Sequence, residues 1–151
     1  MKPERKKMDY EKLKIGEFIT GIIEEVQYDK EHLFKGFQGK EDTTQMAVRF
    51  KFKFDGYNHP HYSRWMKFMY ASKANLYVKY VSKLVDNAQP DMELDLDLLQ
   101  GLEVKTIWVE NGDFQNLESI FPLNKKVDPN AEIPNEEMID EAGQYPDEDP
   151  S

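Results

Sequence analysis

The sequence predicts a mainly β domain of five strands, with a single helix between the third and the fourth strand. Several runs of about strand length alternate apolar and polar residues, which is typical of half-buried strands. Glycine turns stand between such runs at Asp55-Gly56 and at Asn111-Gly112, as hairpins require. The apolar period becomes helical only after Ser72.

The first three strands are predicted in the first half of the chain. The first covers residues 15–28, and its glycines allow a bulge. A polar loop is predicted for residues 30–45. The second strand covers residues 46–54 and the third residues 62–70, joined as a hairpin through Gly56.

The helix is predicted to start at Ser72, which can cap it, and to end before Pro90. Residues 91–100 alternate acids and leucines, a pattern that fits either a strand or a short turn. The fourth and fifth strands, residues 102–110 and 114–121, flank the Asn111-Gly112 turn.

Charge divides the chain into three predicted parts. Residues 1–14 are basic and predict a mobile arm, and residues 15–123 form the domain. Residues 124–151 predict a disordered acidic tail, because from residue 127 onward there are nine acids and neither Lys nor Arg. The whole chain carries a net charge of −9.

Composition excludes several classes of protein. The chain has no cysteine, which excludes disulfides and thiolate metal sites. The charged N-terminus does not resemble a signal peptide, and no apolar run is long enough to cross a bilayer. We therefore expect a cytoplasmic protein with no membrane partner and no cofactor.

A basic and aromatic stretch, residues 43–83, stands out from this acidic background. It holds eight cations against the single acid Asp55, and ten aromatic residues lie among the cations. Cations bind phosphates and aromatic rings stack on unpaired bases, so this composition predicts a surface for single-stranded nucleic acid.

The second strand separates these two residue types by face. Alternation places Phe50, Phe52 and Phe54 on the core side, and the cations of the strand on the other. A solvated basic face would give the same pattern. The lack of balancing acids within the stretch favours nucleic-acid binding, since solvated faces usually mix both signs.

The element order and the acidic tail resemble the OB-fold single-stranded DNA-binding proteins, particularly the divergent ones of phages and mobile elements. The resemblance implies a five-stranded barrel over residues 15–122 and a non-catalytic protein of DNA replication or recombination. It also implies tail-bound replication or recombination proteins as partners, and a bacterial host cell if a phage encodes the protein. The chain ends Asp147-Glu148-Asp149-Pro150-Ser151, without the terminal apolar pair of bacterial members.

The resemblance also implies a ligand path across the second and third strands. Which side of the third strand faces out stays open between Trp65 with Lys67 and Arg64 with Phe68. For phosphates we expect Arg49, Lys51, Lys53, Arg64 and Lys67. For base stacking we expect Tyr57, Tyr62 and Trp65, and for the flanking loop Lys35 and Phe37. For Trp108 we expect a core position.

Other functions have less support in the sequence. His59 and His61 lack the further ligands of a metal site. The acids of residues 91–97 share one segment, whereas nuclease carboxylates converge from several. We expect no enzyme. The alternative is a protein-interaction module or an acidic inhibitor that mimics nucleic acid. DNA versus RNA and the oligomeric state stay open.

Overall fold

Two long strands and a shorter hairpin build most of the fold in a computed structural model that describes residues 11–130. The strands are β1 (Ile19–Phe34), β2 (Thr43–Phe54), β3 (His61–Tyr62), β4 (Met66–Lys67), β5 (Glu103–Asn111) and β6 (Phe114–Pro122). A π-helical segment, Leu76–Val81, continues into the short α1, Ser82–Leu84. A 3₁₀ helix follows at Leu96–Leu99.

All strands belong to one antiparallel sheet, in the order β3-β2-β1-β5-β6, with β4 also paired to β2. The predicted mainly β fold with one short helical region is confirmed. The predicted closed barrel is not confirmed. No pairing among residues 11–130 joins β3 or β4 to β6, so the sheet stays open.

Aromatic rings from β2 and β5 fill the centre of the core. Phe52 and Phe54 stack with centroids 5.3 Å apart, and Trp108 packs edge-on against both. The three rings are buried, and each such burial stabilises a fold by about 1.5–3 kcal/mol. The inward Phe residues of β2 and the core position of Trp108 are therefore confirmed.

The hairpin of β1 and β2 is longer than predicted. β1 reaches Phe34 and β2 begins at Thr43, so only residues 35–42 form the loop that was predicted for residues 30–45. The pairing shifts register between Ile23 and Glu25 and again between Asp29 and His32. These bulges interrupt the alternation, which explains why the sequence pattern does not show the outer half of the strand.

The predicted N-terminal arm docks on the body from residue 11 onward. Leu13 is only 4% exposed. Gln115 binds its backbone on both sides, with Oε1 accepting from the Leu13 amide at 3.0 Å and Nε2 donating to the Leu13 carbonyl at 2.8 Å. Glu11 accepts from the amides of Asn58 and His59. Residues 1–10 lie outside the described residues.

At the other end, the ordered chain continues past the predicted boundary at residue 123. The Val127 amide donates to the Leu84 carbonyl at 2.8 Å, and its carbonyl accepts from the Asp86 amide at 2.8 Å. Val127 also packs against the core. Residues 124–130 therefore belong to the body, and the rest of the predicted acidic tail, residues 131–151, lies outside the described residues. No helix within residues 11–130 combines the length and apolarity of a membrane span.

Candidate nucleic-acid interface

Arg49 on the outer face of β2 packs against two aromatic rings. Its guanidinium carbon lies 4.2 Å from the centroid of Tyr62 and 4.7 Å from that of Trp65. Its Nε donates to Gln27 Oε1 of β1 at 2.8 Å. Such cation–π contacts stabilise by about 0.5–1 kcal/mol each at exposed sites, so these contacts hold both rings in place.

A bulge between β3 and β4 brings the rings of Tyr62 and Trp65 to the same side of the sheet. Lys51 pairs with Tyr62 and Ala47 pairs with Lys67, so the three residues 48–50 of β2 face the four residues 63–66. The extra residue changes the alternation. Ser63 and Met66 are buried, whereas Tyr62, Arg64 and Lys67 are exposed and Trp65 is half-buried. Each of the two orientations considered for the third strand was therefore partly right.

The outer half of β1 adds two further rings: that of Phe34, and that of His32, which the sequence reasoning did not place here. His32 lies 5.2 Å from the Trp65 ring, at an interplanar angle of 32°, and 4.9 Å from the Phe34 ring. Lys67 Nζ lies 5.8 Å from the Phe34 centroid. His32 and Phe34 both fell in the loop predicted for residues 30–45. Their spacing of two residues was a sequence signal for a strand. We name Tyr62, Arg49, Trp65, His32 and Phe34 the ring array.

Asp29 fixes the position of His32 within the array. His32 Nδ1 lies 3.0 Å from Asp29 Oδ2. This hydrogen bond is the main cause of a lowered pKa at Asp29, and the bond from the Glu31 amide adds to it. A carboxylate that accepts two hydrogen bonds stays ionised, so Asp29 remains a charged partner for the imidazole.

Acids from β1 face the cations of β2. Lys51 Nζ lies 3.8 Å from Glu24 Oε1, and Lys51 pairs with Glu25 in the β1–β2 register. Residues 43–83 contain a single acid, but in the folded protein acids of β1 lie beside the cations of this stretch. A sequence window cannot show the neighbours across a ladder, and this part of the surface is less basic than expected.

A groove of about 610 Å³ beside the ring array has a positively charged lining. Its lining connects the β4 edge of the open sheet with Leu117 of β6, and it includes the half-buried Trp65 and the buried Tyr80. The lining contains no acid. Its cations are Arg64, Lys67, Lys73 and Lys79. We name this feature the basic groove.

The remaining predicted site residues belong to neither of these two features. Lys53 is exposed near the end of β2, where it pairs with Ile22. Tyr57 packs against the core with its ring edge-on to His61, and its hydroxyl accepts from the Lys14 amide at 3.1 Å. Lys35 and Phe37 are exposed in the loop of residues 35–42, where Phe37 is 73% exposed.

Two of the four acids of residues 91–97 have structural partners. Asp95 accepts from the Asp97 amide at the start of the 3₁₀ helix, and Asp97 Oδ1 accepts from the Tyr28 hydroxyl at 2.9 Å. Burial first, and then this hydrogen bond, raise the pKa of Tyr28. Residues 11–130 contain no group of three or more His, Cys, Asp or Glu side chains that could hold a metal ion.

The candidate interface thus consists of a ring array on the outer face of the sheet and a basic groove next to it, with Phe34 and Trp65 common to both. This arrangement can stack planar groups and neutralise anions on one continuous surface. Comparison of the chain with protein-family models, with curated proteins and with solved structures gives no match.

Proposed function

We propose that this is a non-catalytic protein that binds single-stranded DNA with little sequence preference. The observation that carries the proposal is the continuity of the ring array with a groove that four cations and no acid line. Single strands expose both the base faces that stack on rings and the phosphates that attract cations.

The strand order supports an OB-like arrangement. If β3 and β4 count as one bulged strand, the order along the sheet is third, second, first, fourth and fifth. The helical residues 76–84 fall between the third and the fourth strand. An OB-fold opened between its third and its last strand would have this connectivity, which supports the proposal.

The composition of the array favours binding with little sequence preference. Tyr62 is 38% exposed, and Arg49 presents a planar guanidinium beside it. Stacking on rings and on Arg planes accepts every base, because each base has a π-face. A sequence-specific reader would need paired donors and acceptors directed at base edges.

The biological setting is part of the same proposal. A protein of this kind serves DNA replication or recombination in the cytoplasm, in a bacterial cell if a phage encodes it. The acids of residues 131–151 would then bind replication or recombination proteins. The rival function, an acidic inhibitor that mimics nucleic acid, depends on those same acids together with the acids of residues 86–124. Of the two regions, residues 131–151 lie outside the described part of the chain.

The test is fluorescence anisotropy with a labelled oligo-dT and a duplex of the same length, at low and at high salt. We expect tighter binding of the single strand at every salt concentration. The double variant Arg64→Ala/Lys67→Ala should bind more weakly, while Lys125→Ala, an exposed cation outside the groove, should bind normally. Equal affinity for the duplex and the single strand would refute the preference for single strands and, with it, the proposed function.

A further inference from the structure

We propose that the basic groove is a subsite for one unstacked nucleotide, with the base inside the groove and its phosphate at the rim. This inference rests on the proposed function, since the nucleotide belongs to a strand that lies on the ring array. It adds a pocket for one nucleotide to the ring array, which binds bases by stacking.

The dimensions and the depth of the groove suit a small planar ligand. Its volume of about 610 Å³ lies within the range of about 300–1,000 Å³ that is typical of small-molecule sites. Tyr80 and Met66, both buried, contribute apolar surface together with Leu117. A flat aromatic base can lie on such a surface, whereas a free phosphate gains nothing from it.

The cations at the groove are available to an anion. Arg64, Lys67 and Lys73 form no ion pair with any residue of the described range 11–130. Lys79 Nζ donates to the Leu117 carbonyl at 3.2 Å. Four positive charges without a balancing acid in the lining attract an anionic ligand, and a nucleotide phosphate supplies the charge.

A polar side chain is also free to meet the edge of a base. Asn75 lines the groove and precedes the helical residues 76–81, yet its side chain makes no capping hydrogen bond there. The amide offers both a donor and an acceptor, which allows it to pair with any base after rotation. This fits a subsite that requires a base but does not select one.

Continuity with the array favours a nucleotide over an acidic peptide. Trp65 and Phe34 belong to both the array and the groove lining, so a strand stacked on the array reaches the groove without a break. An acidic peptide would satisfy the cations but would leave these ring faces unused. A peptide of residues 131–151 is therefore the competing ligand in the test.

The experiment is an NMR titration of the ¹⁵N-labelled full chain with thymidine 5′-phosphate and, separately, with deoxyribose 5-phosphate, which lacks the base. We expect thymidine 5′-phosphate to shift the amides of residues 64–79 and to bind at least tenfold more tightly than the sugar phosphate. Ala74→Phe, which fills the groove without a change of charge, and Lys73→Ala should each weaken the nucleotide at least fivefold. Lys83→Ala, on the same helical region but outside the groove lining, is the matched control and should bind the nucleotide as the wild type does.

The outcomes separate this inference from the proposed function. If oligo-dT binds but thymidine 5′-phosphate shifts no groove amide, or binds no better than the sugar phosphate, the groove inference is wrong and the function stands. If the peptide of residues 131–151, added in trans, shifts the groove amides and the nucleotide does not, the groove binds the acidic segment and the inference is again wrong. If Ala74→Phe loses the nucleotide while oligo-dT still binds through the array, both proposals are supported.

Discussion

The guanidinium carbon of Arg49 lies 4.7 Å from the centroid of Trp65, across a bulge that places both on the outer face of the sheet. The contact fixes an aromatic ring and a cation as one unit before any ligand arrives. Preorganised groups lose less conformational freedom on binding. We therefore expect stacking on Trp65 to contribute most to affinity.

We expect Trp65→Ala to weaken single-strand binding by about 1–3 kcal/mol, as the loss of one stacked ring does. Duplex binding should change much less, because paired bases do not expose their faces. The measurement is anisotropy on matched single-stranded and duplex oligonucleotides. Phe114→Ala removes a ring that is 73% exposed at the β5–β6 hairpin and that does not belong to the array, and it serves as the control.

Trp65 is half-buried, so its removal also tests the fold. Circular dichroism and thermal unfolding of Trp65→Ala show whether the variant keeps its structure. A folded Trp65→Ala that binds single strands like the wild type would contradict the stacking role.

The salt dependence of binding should distinguish the groove cations from the β2 cations. Lys67→Ala should reduce the slope of log K against log salt by about 0.7, the value for one phosphate contact on a single strand. Lys51→Ala should reduce it less, because Glu24 lies 3.8 Å from the Lys51 amine and already balances part of its charge. Salt titrations of both variants with oligo-dT give the two slopes.

The variant Glu24→Gln provides an internal check on this reasoning. Without the carboxylate, Lys51 becomes available to a phosphate, and we expect the salt slope to become steeper than that of the wild type. An equal loss of slope in Lys51→Ala and Lys67→Ala would show that the acids of β1 do not matter.

Sequence alone predicted the core well, because the core depends on local alternation. The period of two along β2 placed Phe50, Phe52 and Phe54 inside, and the Asn111-Gly112 turn joined β5 to β6 at the correct position. The glycines of the first strand allowed a bulge, but the sequence could not show where the bulges fall, since one extra residue reverses the alternation without any change in composition. For this reason His32 was assigned to a loop.

The site was predicted in composition but not in arrangement. The stretch of residues 43–83 supplied most of the array and the groove. Two relationships are long-range and have no local signature: Glu24 against Lys51, and Leu117 in the lining with Lys73. Both arise from pairing and packing between elements that are far apart in sequence.

Truncation at the C-terminal end should reveal where the body stops. A chain that ends at residue 126 loses both backbone hydrogen bonds of Val127 and its packing on the core. We expect a loss of roughly 2 kcal/mol in the free energy of unfolding. A chain that ends at residue 130 keeps these contacts and should match the full chain in urea unfolding. Equal stability of the two truncated chains would place the boundary before Val127.

Gly21 lies at a close approach of β1 to β2. A Cβ at this position would lie 2.3 Å from the Lys53 carbonyl oxygen, a backbone atom that cannot rotate away. Gly21→Ala should therefore lower the free energy of unfolding by about 1–3 kcal/mol. Thr44→Ala, an exposed position in the same β1–β2 ladder, should change it by less than about 0.5 kcal/mol. Urea unfolding of both variants compares the two costs.

Stability should fall at alkaline pH because of Tyr70. Burial, and secondarily the nearby Asp95, raise the pKa of Tyr70 to about 12, and its hydroxyl donates to the Leu94 carbonyl at 2.9 Å. Below pH 10 both the folded and the unfolded chain hold this proton, so the contribution of Tyr70 is complete. Between pH 10 and 12 the unfolded chain releases the proton first, which favours unfolding. Lysines titrate in the same range, so the measurement is the difference in urea stability between the wild type and Tyr70→Phe from pH 9 to pH 11. We expect the wild type to lose stability more steeply than Tyr70→Phe, and parallel curves would show that Tyr70 does not contribute to the alkaline loss.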